Sequence, residues 1–226
     1  RRFLKYELDN YLTGRGGELV EVLGSQPPLT PVVVRQTALK GRIRAAEKDA
    51  ARALIIDTLT RGPQEMHEPA IGLVPTIFKD ADIGQVSALL PKLPEAGQVQ
   101  LLAALSGYLK DAVQPAFLAA VKSAPPDVRV AALRGLAKVG DASTVLLLAE
   151  RAAGSKGLEQ MAARTSLWTL AGKDVDEAVL FWLLASPNDS VKNEFIQAAG
   201  ERRISAAKAN LMSLAASGSP ANSLEA

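Results

Sequence analysis

Apolar residues recur along this chain at spacings of three and four, the mark of helices that each bury one stripe. The clearest case runs from Val128 through Ala131, Ala132 and Leu136 to Val139. Gly140 and Asp141 follow at once. A glycine there suits the left-handed position after a helix, and the aspartate suits the cap of the next one. The predicted unit is therefore helix, tight turn, helix. Prolines mark the entries: Pro125 and Pro126 before this unit, and Pro187 before a later one.

Four such units divide residues 95–217. The first holds the Gln98–Leu105 run, then Lys110-Asp111 and Phe117. The second is the Val128–Val139 helix with Val145–Leu148 after its turn. The third holds Ala162-Ala163-Arg164, Leu167-Trp168, then Asp174 and Val179–Leu184. The fourth runs from Asp189 through Phe195-Ile196 and Gly200 to Leu211-Met212. Matching Asp111 to Asp141 gives a step of 30 residues, Leu133 to Leu167 one of 34, and Leu167 to Ile196 one of 29. One hairpin cannot bury its apolar face alone, so neighbours must stack. The expected fold class is all-α: a right-handed α-α superhelix, or solenoid, of helical hairpins.

Residues 1–94 are more divergent and are read as N-terminal hairpins of the same superhelix. Phe3, Leu4, Leu8 and Leu12 point to an opening helix; Leu19, Val20 and Leu23 point to a short second one. One long helix is expected over 31–60, in preference to a strand at Val32-Val33-Val34, because the continuation is charged and alanine-rich. Two more helices are expected near 64–78 and 82–92. Residues 218–226 read as a flexible tail.

The run Pro126-Asp127-Val128-Arg129-Val130-Ala131-Ala132-Leu133-Arg134-Gly135-Leu136, closed by Gly140-Asp141, resembles a HEAT repeat of the short, phycobilisome-lyase-like kind. Asp189-Ser190-Val191-Lys192 looks like a second copy with lysine in the arginine place. The resemblance covers about half the chain. It implies that Asp127 and Arg129, and by extension Asp141, Asp189 and Lys192, tie neighbouring repeats together. Similar alanine-rich HEAT arrays occur in large bacterial extracytoplasmic proteins, some beside sugar-active domains of the 3-keto-disaccharide hydrolase kind. The resemblance thus favours an extracytoplasmic location and a partner that is another protein or a domain of the same polypeptide. The opening Arg1-Arg2-Phe3, with no initiator methionine, is read in the same sense, as a piece of a longer or processed chain.

Composition agrees with packed helices. Hydrophobic residues make up 48% of the 226 but aromatics only 4%, so the apolar content is mainly alanine, leucine and valine. Twenty-six basic against 24 acidic residues leave a net charge of +2. That balance argues against a dedicated nucleic-acid binder, which carries a clear basic excess. The absence of cysteine excludes disulfides, thiolate metal sites and a cysteine nucleophile. No apolar run reaches the ~20 residues a membrane-spanning helix needs.

Catalytic motifs are absent. His67, the single histidine, sits in Glu65-Met66-His67-Glu68-Pro69. A zinc-protease motif needs a second histidine one turn on. A metal site using Glu65 and Glu68 is conceivable, but the simpler reading is a partly exposed histidine at a helix start. There is no phosphate loop; Gly172-Lys173-Asp174 lacks both the upstream glycine and the hydroxyl residue. Gly14-Arg15-Gly16-Gly17 reads as a helix-ending loop rather than a dinucleotide fingerprint. No cofactor is expected, and the chain is read as non-enzymatic, or as the accessory region of a multidomain enzyme.

Two groups of cations remain as binding candidates. Lys40, Arg44, Lys48 and Arg52 are four apart and would line one face of a single helix, with Arg35 and Arg42 nearby. Like charges so spaced repel by about 0.2–0.5 kcal/mol per pair. Either an acidic partner compensates, or the stripe is a solvated face relieved by Glu47 and Asp49. Arg202, Arg203 and Lys208 form a smaller group. Trp168 and Trp182 lie among apolar residues at helical spacing and are expected in the core; Phe181-Trp182-Leu183-Leu184 implies a helix covered on both sides. The leading expectation is a non-catalytic interaction scaffold. The alternatives are a nucleic-acid-binding solenoid working through the basic stripe and a tetrapyrrole lyase or chaperone.

Overall fold

A computed structural model describes residues 31–186 and 188–217. The expected helices before residue 31, the tail at 218–226 and Pro187 lie outside the described residues. Within them every regular element is helical, and there is no strand. The chain folds as two compact units, the first ending at Tyr108 and the second beginning at Leu109. This division separates the two helices expected of the first hairpin.

The first unit opens with α1 (Val32–Ala45) and α2 (Lys48–Arg61). The single long helix expected over 31–60 is therefore two. Ala46 and Glu47 take extended backbone angles, with ψ of 150° and 151°. The helices then pack on each other, and Ala38, Ile43, Ala51, Ile55 and Leu59 are all buried. The continuous helices expected near 64–78 and 82–92 are short pieces instead: α3 (His67–Ile71), α4 (Val74–Ile77) and α5 (Gly84–Ser87), with single 3-10 turns at Gln64–Met66 and Leu90–Lys92. Pro75 opens α4 and Pro91 opens a 3-10 turn. Proline at those positions removes a helical donor and restarts the chain. The unit ends with α6 (Glu95–Leu105).

Tyr108 pins this unit together. Its hydroxyl donates towards the carbonyls of Val74 and Phe78, at 2.9 and 3.3 Å, and so ties the end of the unit to α4. Burial, then the charge of Asp80, pushes the phenol up to about 12. A group whose folded pKa is raised keeps its stabilising contribution below the unfolded value and loses it as pH rises through the folded value. Stability of this unit is thus expected to fall between pH 10 and about 12. The Tyr108→Phe variant should be less stable at neutral pH by about 0.5–1.5 kcal/mol, through the lost hydroxyl hydrogen bond, and should show a flatter alkaline limb. Urea melts across that pH range, read by far-ultraviolet circular dichroism, check both.

The second unit holds α7 (Lys110–Ala120), α8 (Pro126–Val139), α9 (Val145–Gly154), α10 (Gly157–Thr169), α11 (Lys173–Ala185), α12 (Asp189–Glu201) and α13 (Lys208–Ser217). Pro126 stands at the first position of α8, where its missing N–H costs nothing. Helix α8 packs on α7 and α10, and α10 packs on α12. Helix α9 packs against α10 and α12, and α11 packs against α12 and α9. Small residues on α10 allow the close approach: Ala162, Ala163 and Ser166 are buried, and the Ser166 hydroxyl donates to the Leu133 carbonyl at 2.8 Å.

The turn after α8 departs from expectation in one respect. Gly140 is extended, with φ −80° and ψ 174°, and is not left-handed. Glycine is required because a Cβ there would lie 2.5 Å from the Leu136 carbonyl oxygen, 2.7 Å from the Thr144 hydroxyl and 2.9 Å from a Leu170 methyl. Asp141 caps the following 3-10 turn, accepting from the Ser143 amide and hydroxyl at 2.9 and 2.6 Å. These hydrogen bonds, the hydroxyl's first, hold its carboxyl below the usual range. Helix α12 is capped not by Asp189 but by Asn188, whose side-chain oxygen accepts from the amides of Ser190 and Val191.

Candidate functional site

The break at Ala46–Glu47 divides the basic stripe. Lys40 and Arg44 belong to α1, Lys48 and Arg52 to α2, so the four-residue spacing does not run along one helix. Arg52 is engaged by Asp82 at 2.7 Å and Asp49 at 3.1 Å. Arg35 pairs with Glu65 at 3.0 Å. Arg44 and Lys48 stay exposed, and Lys40 is half-buried.

His67 is buried, in contrast to the partly exposed position expected for it. Its Nε2 lies 3.3 Å from the Gly62 carbonyl oxygen. It borders a polar groove of about 450 Å³ that also meets Gln36, Glu65, Glu68 and Gln100. Among the described residues no group of three or more histidines and carboxylates could hold a metal ion.

The second unit carries a series of charged ties between neighbouring helices. Arg129 on α8 pairs with Glu159 on α10, Nε and Nη2 lying 3.0 and 2.9 Å from one carboxylate oxygen. Its Nη1 also donates to the carbonyls of Ser123 and Ala124. The hydrogen bond from Arg129 holds the Glu159 carboxyl below its usual range. Arg164 on α10 then grips Glu194 on α12 with two parallel bonds of 2.8 and 2.6 Å. Both ties span 30 residues.

A third tie uses Arg202, just past α12. Its Nε donates to Asp176 on α11 at 2.7 Å, and Nη1 lies 3.1, 3.0 and 2.8 Å from the carbonyl oxygens of Leu167, Trp168 and Leu170. These are orphan acceptors at the C-terminus of α10, where a cation also meets the negative end of the helix dipole. With a side chain 10% exposed, Arg202 is occupied inside the protein.

Of the residues read as repeat ties, Arg129 pairs as described and Asp141 meets Lys110 at 3.3 Å. Asp127 and Asp189 stand exposed in the first turns of α8 and α12, where an acid favours the helix dipole, and Lys192 is half-buried in α12. Glu159, Arg164, Glu194 and Asp176 were not among the sequence candidates. The recurring 30-residue spacing of arginine and glutamate was the available signal.

Helix α11 is covered on one side only, which corrects the expectation of a helix buried all round. Val175, Val179 and Leu183 face the core. Phe181 is 61% and Leu184 62% exposed, three residues apart on the opposite face, with Glu177 and Asp174 exposed one and two turns before Phe181. Trp182 is half-buried and meets the Phe181 ring edge-on, with centroids 5.0 Å apart. Trp168 is half-buried in α10, and its indole N–H is enclosed.

A second exposed feature lies past α12. Arg203 and Lys208 border a groove of about 400 Å³ whose apolar lining is Ala199, Ile204, Leu211 and Met212. Met212 is 65% exposed. No helix among the described residues is long and apolar enough to cross a membrane. No family model matches the chain, and no curated protein matches it.

Proposed function

We propose that this chain is a non-catalytic interaction scaffold, an α-α solenoid of HEAT-like hairpins whose partner is another protein or a domain of the same polypeptide. The observation that carries this reading is the outer face of α11. Large apolar side chains exposed together, one helical turn apart, are what protein interfaces use as anchors. Phe181 and Leu184 stand outside the core, which Val175, Val179 and Leu183 fill beneath, and the one ring contact of Phe181 among the described residues is the edge of Trp182 on the same helix. The ties through Arg129, Arg164 and Arg202 support the same reading. They hold successive helices in fixed register, as a scaffold that presents a surface must.

The Phe181→Ser, Leu184→Ser double variant tests it. Both positions are exposed, so stability should stay within about 0.5 kcal/mol of wild type. Immobilised wild-type chain should retain a protein at low and high salt, and the double variant should lose it. Equal retention by both proteins would discard the α11 face. Retention of nucleic acid alone, released at high salt, would replace the scaffold with a nucleic-acid binder. A bilin whose absorbance shifts on mixing would support a tetrapyrrole carrier instead.

A further inference from the structure

Helix α12 closes with two reversed hydrogen bonds. The Arg203 amide donates to the Gly200 carbonyl at 2.9 Å, and the Ile204 amide reaches back to the Ala199 carbonyl at 3.0 Å. This is the Schellman closure, in which the residue after the cap turns left-handed and is usually glycine. Here that residue is Arg203, with φ of 54°, alone among the described non-glycine residues in having a positive φ. A non-glycine residue at such a position costs the backbone more than glycine would. The apolar contact that accompanies the closure, Ile204 beside Ala199, forms part of the groove lining.

The strained residue brings its cation to the groove. Arg203 and Lys208 both line the groove and are exposed, and neither forms a salt bridge within the described residues. Beside them Ile204 and Leu211 are half-buried, and Met212 is exposed. Neighbouring Arg202 is occupied by Asp176 and three carbonyls, so the positive charge offered outward is that of Arg203 and Lys208.

From this combination we infer that the groove binds an acidic segment of another polypeptide. A carboxylate of that segment is held between Arg203 and Lys208, and an apolar side chain rests on Ile204, Leu211 and Met212. The two halves of the groove call for both features in one ligand. A simple anion leaves the apolar lining wet, and an apolar ligand leaves the two cations unpaired. This inference rests on the Arg203 closure and not on the α11 face.

The test uses the full chain and a short fluorescein-labelled peptide of leucine and glutamate, followed by fluorescence anisotropy. Controls are a leucine–lysine peptide and a glutamate-only peptide. Wild type should bind the leucine–glutamate peptide, more weakly as salt rises, and should bind neither control. Arg203→Gly should weaken binding on the order of tenfold while raising the thermal midpoint, because glycine takes the left-handed position freely. Loss of binding in a more stable protein cannot come from unfolding. Met212→Ser should weaken binding as well. The Phe181→Ser, Leu184→Ser variant should bind like wild type, so the two surfaces stand or fall separately. Unchanged peptide affinity in Arg203→Gly would overturn the inference, as would equal binding of the glutamate-only peptide. Short duplex DNA displacing the peptide would assign the cations to phosphate and overturn it too.

Discussion

Arg164→Ala is expected to destabilise the second unit by about 3–5 kcal/mol, a large fraction of what a domain of this size has. The reason lies in what the substitution leaves behind. Glu194 is a buried charge, its side chain 4% exposed, and both of its carboxylate oxygens are satisfied by the guanidinium of Arg164. Without that partner the carboxylate is left unpaired in the core, which is costly. Glu194→Leu alone removes the buried charge and should be milder, because Arg164 is partly exposed and can return to water. The Arg164→Met, Glu194→Leu double variant should recover most of the loss, since a well-packed apolar pair often matches a buried ion pair. Urea denaturation of the four proteins closes the cycle. A single Arg164→Ala costing less than about 1 kcal/mol would mean that α10 and α12 are not clamped through this pair.

Phe117→Ala should produce an effect of similar size, about 3–5 kcal/mol, through the cavity it leaves between α7 and α8. Phe117 is fully buried, and its ring lies over Gly135. A Cβ at position 135 would fall 2.0, 2.5 and 2.9 Å from three ring carbons. Gly135 is thus kept in mid-helix for room, although alanine favours the helix by about 1 kcal/mol. Gly135→Ala should therefore destabilise, by about 1–3 kcal/mol, because the displaced ring has nowhere to go in a packed core. Pairing it with Phe117→Leu should restore part of the loss. Coupling of the two substitutions in a double-mutant cycle is the decisive readout; simple additivity would show that ring and glycine do not share this space.

Helices were legible in the sequence wherever a local rule was enough. Val128, Leu136 and Val139 announced α8 by spacing, and all three are buried. Asp141 was legible as a cap because the bonds it makes reach only two residues along the chain. The division of 31–60 into α1 and α2 was not. Ala46 and Glu47 are ordinary helix formers, and a continuous helix would satisfy every local preference. What the break allows is the packing of α1 on α2, with Ala38, Ile43, Ala51 and Ile55 buried, a gain that no local window contains.

The candidate surfaces followed the same divide. Arginine and glutamate were visible as charges, but the partner of Arg164 lies 30 residues away, and only the packing of α10 on α12 brings the two together. Arg202 and Arg203 are adjacent and chemically alike in the sequence. One is enclosed by carbonyls at the end of α10, and the other is turned outward by a left-handed closure. Phe181-Trp182-Leu183-Leu184 is apolar all round its helix, and periodicity cannot say which side a neighbour will cover. By itself, then, the sequence determined the helical class, the composition of the core and the absence of cysteine chemistry, because these depend on residue type and spacing. Which charges pair, which glycines are indispensable and which apolar face stays bare were decided by the tertiary structure, because each depends on the distance between residues far apart in the chain.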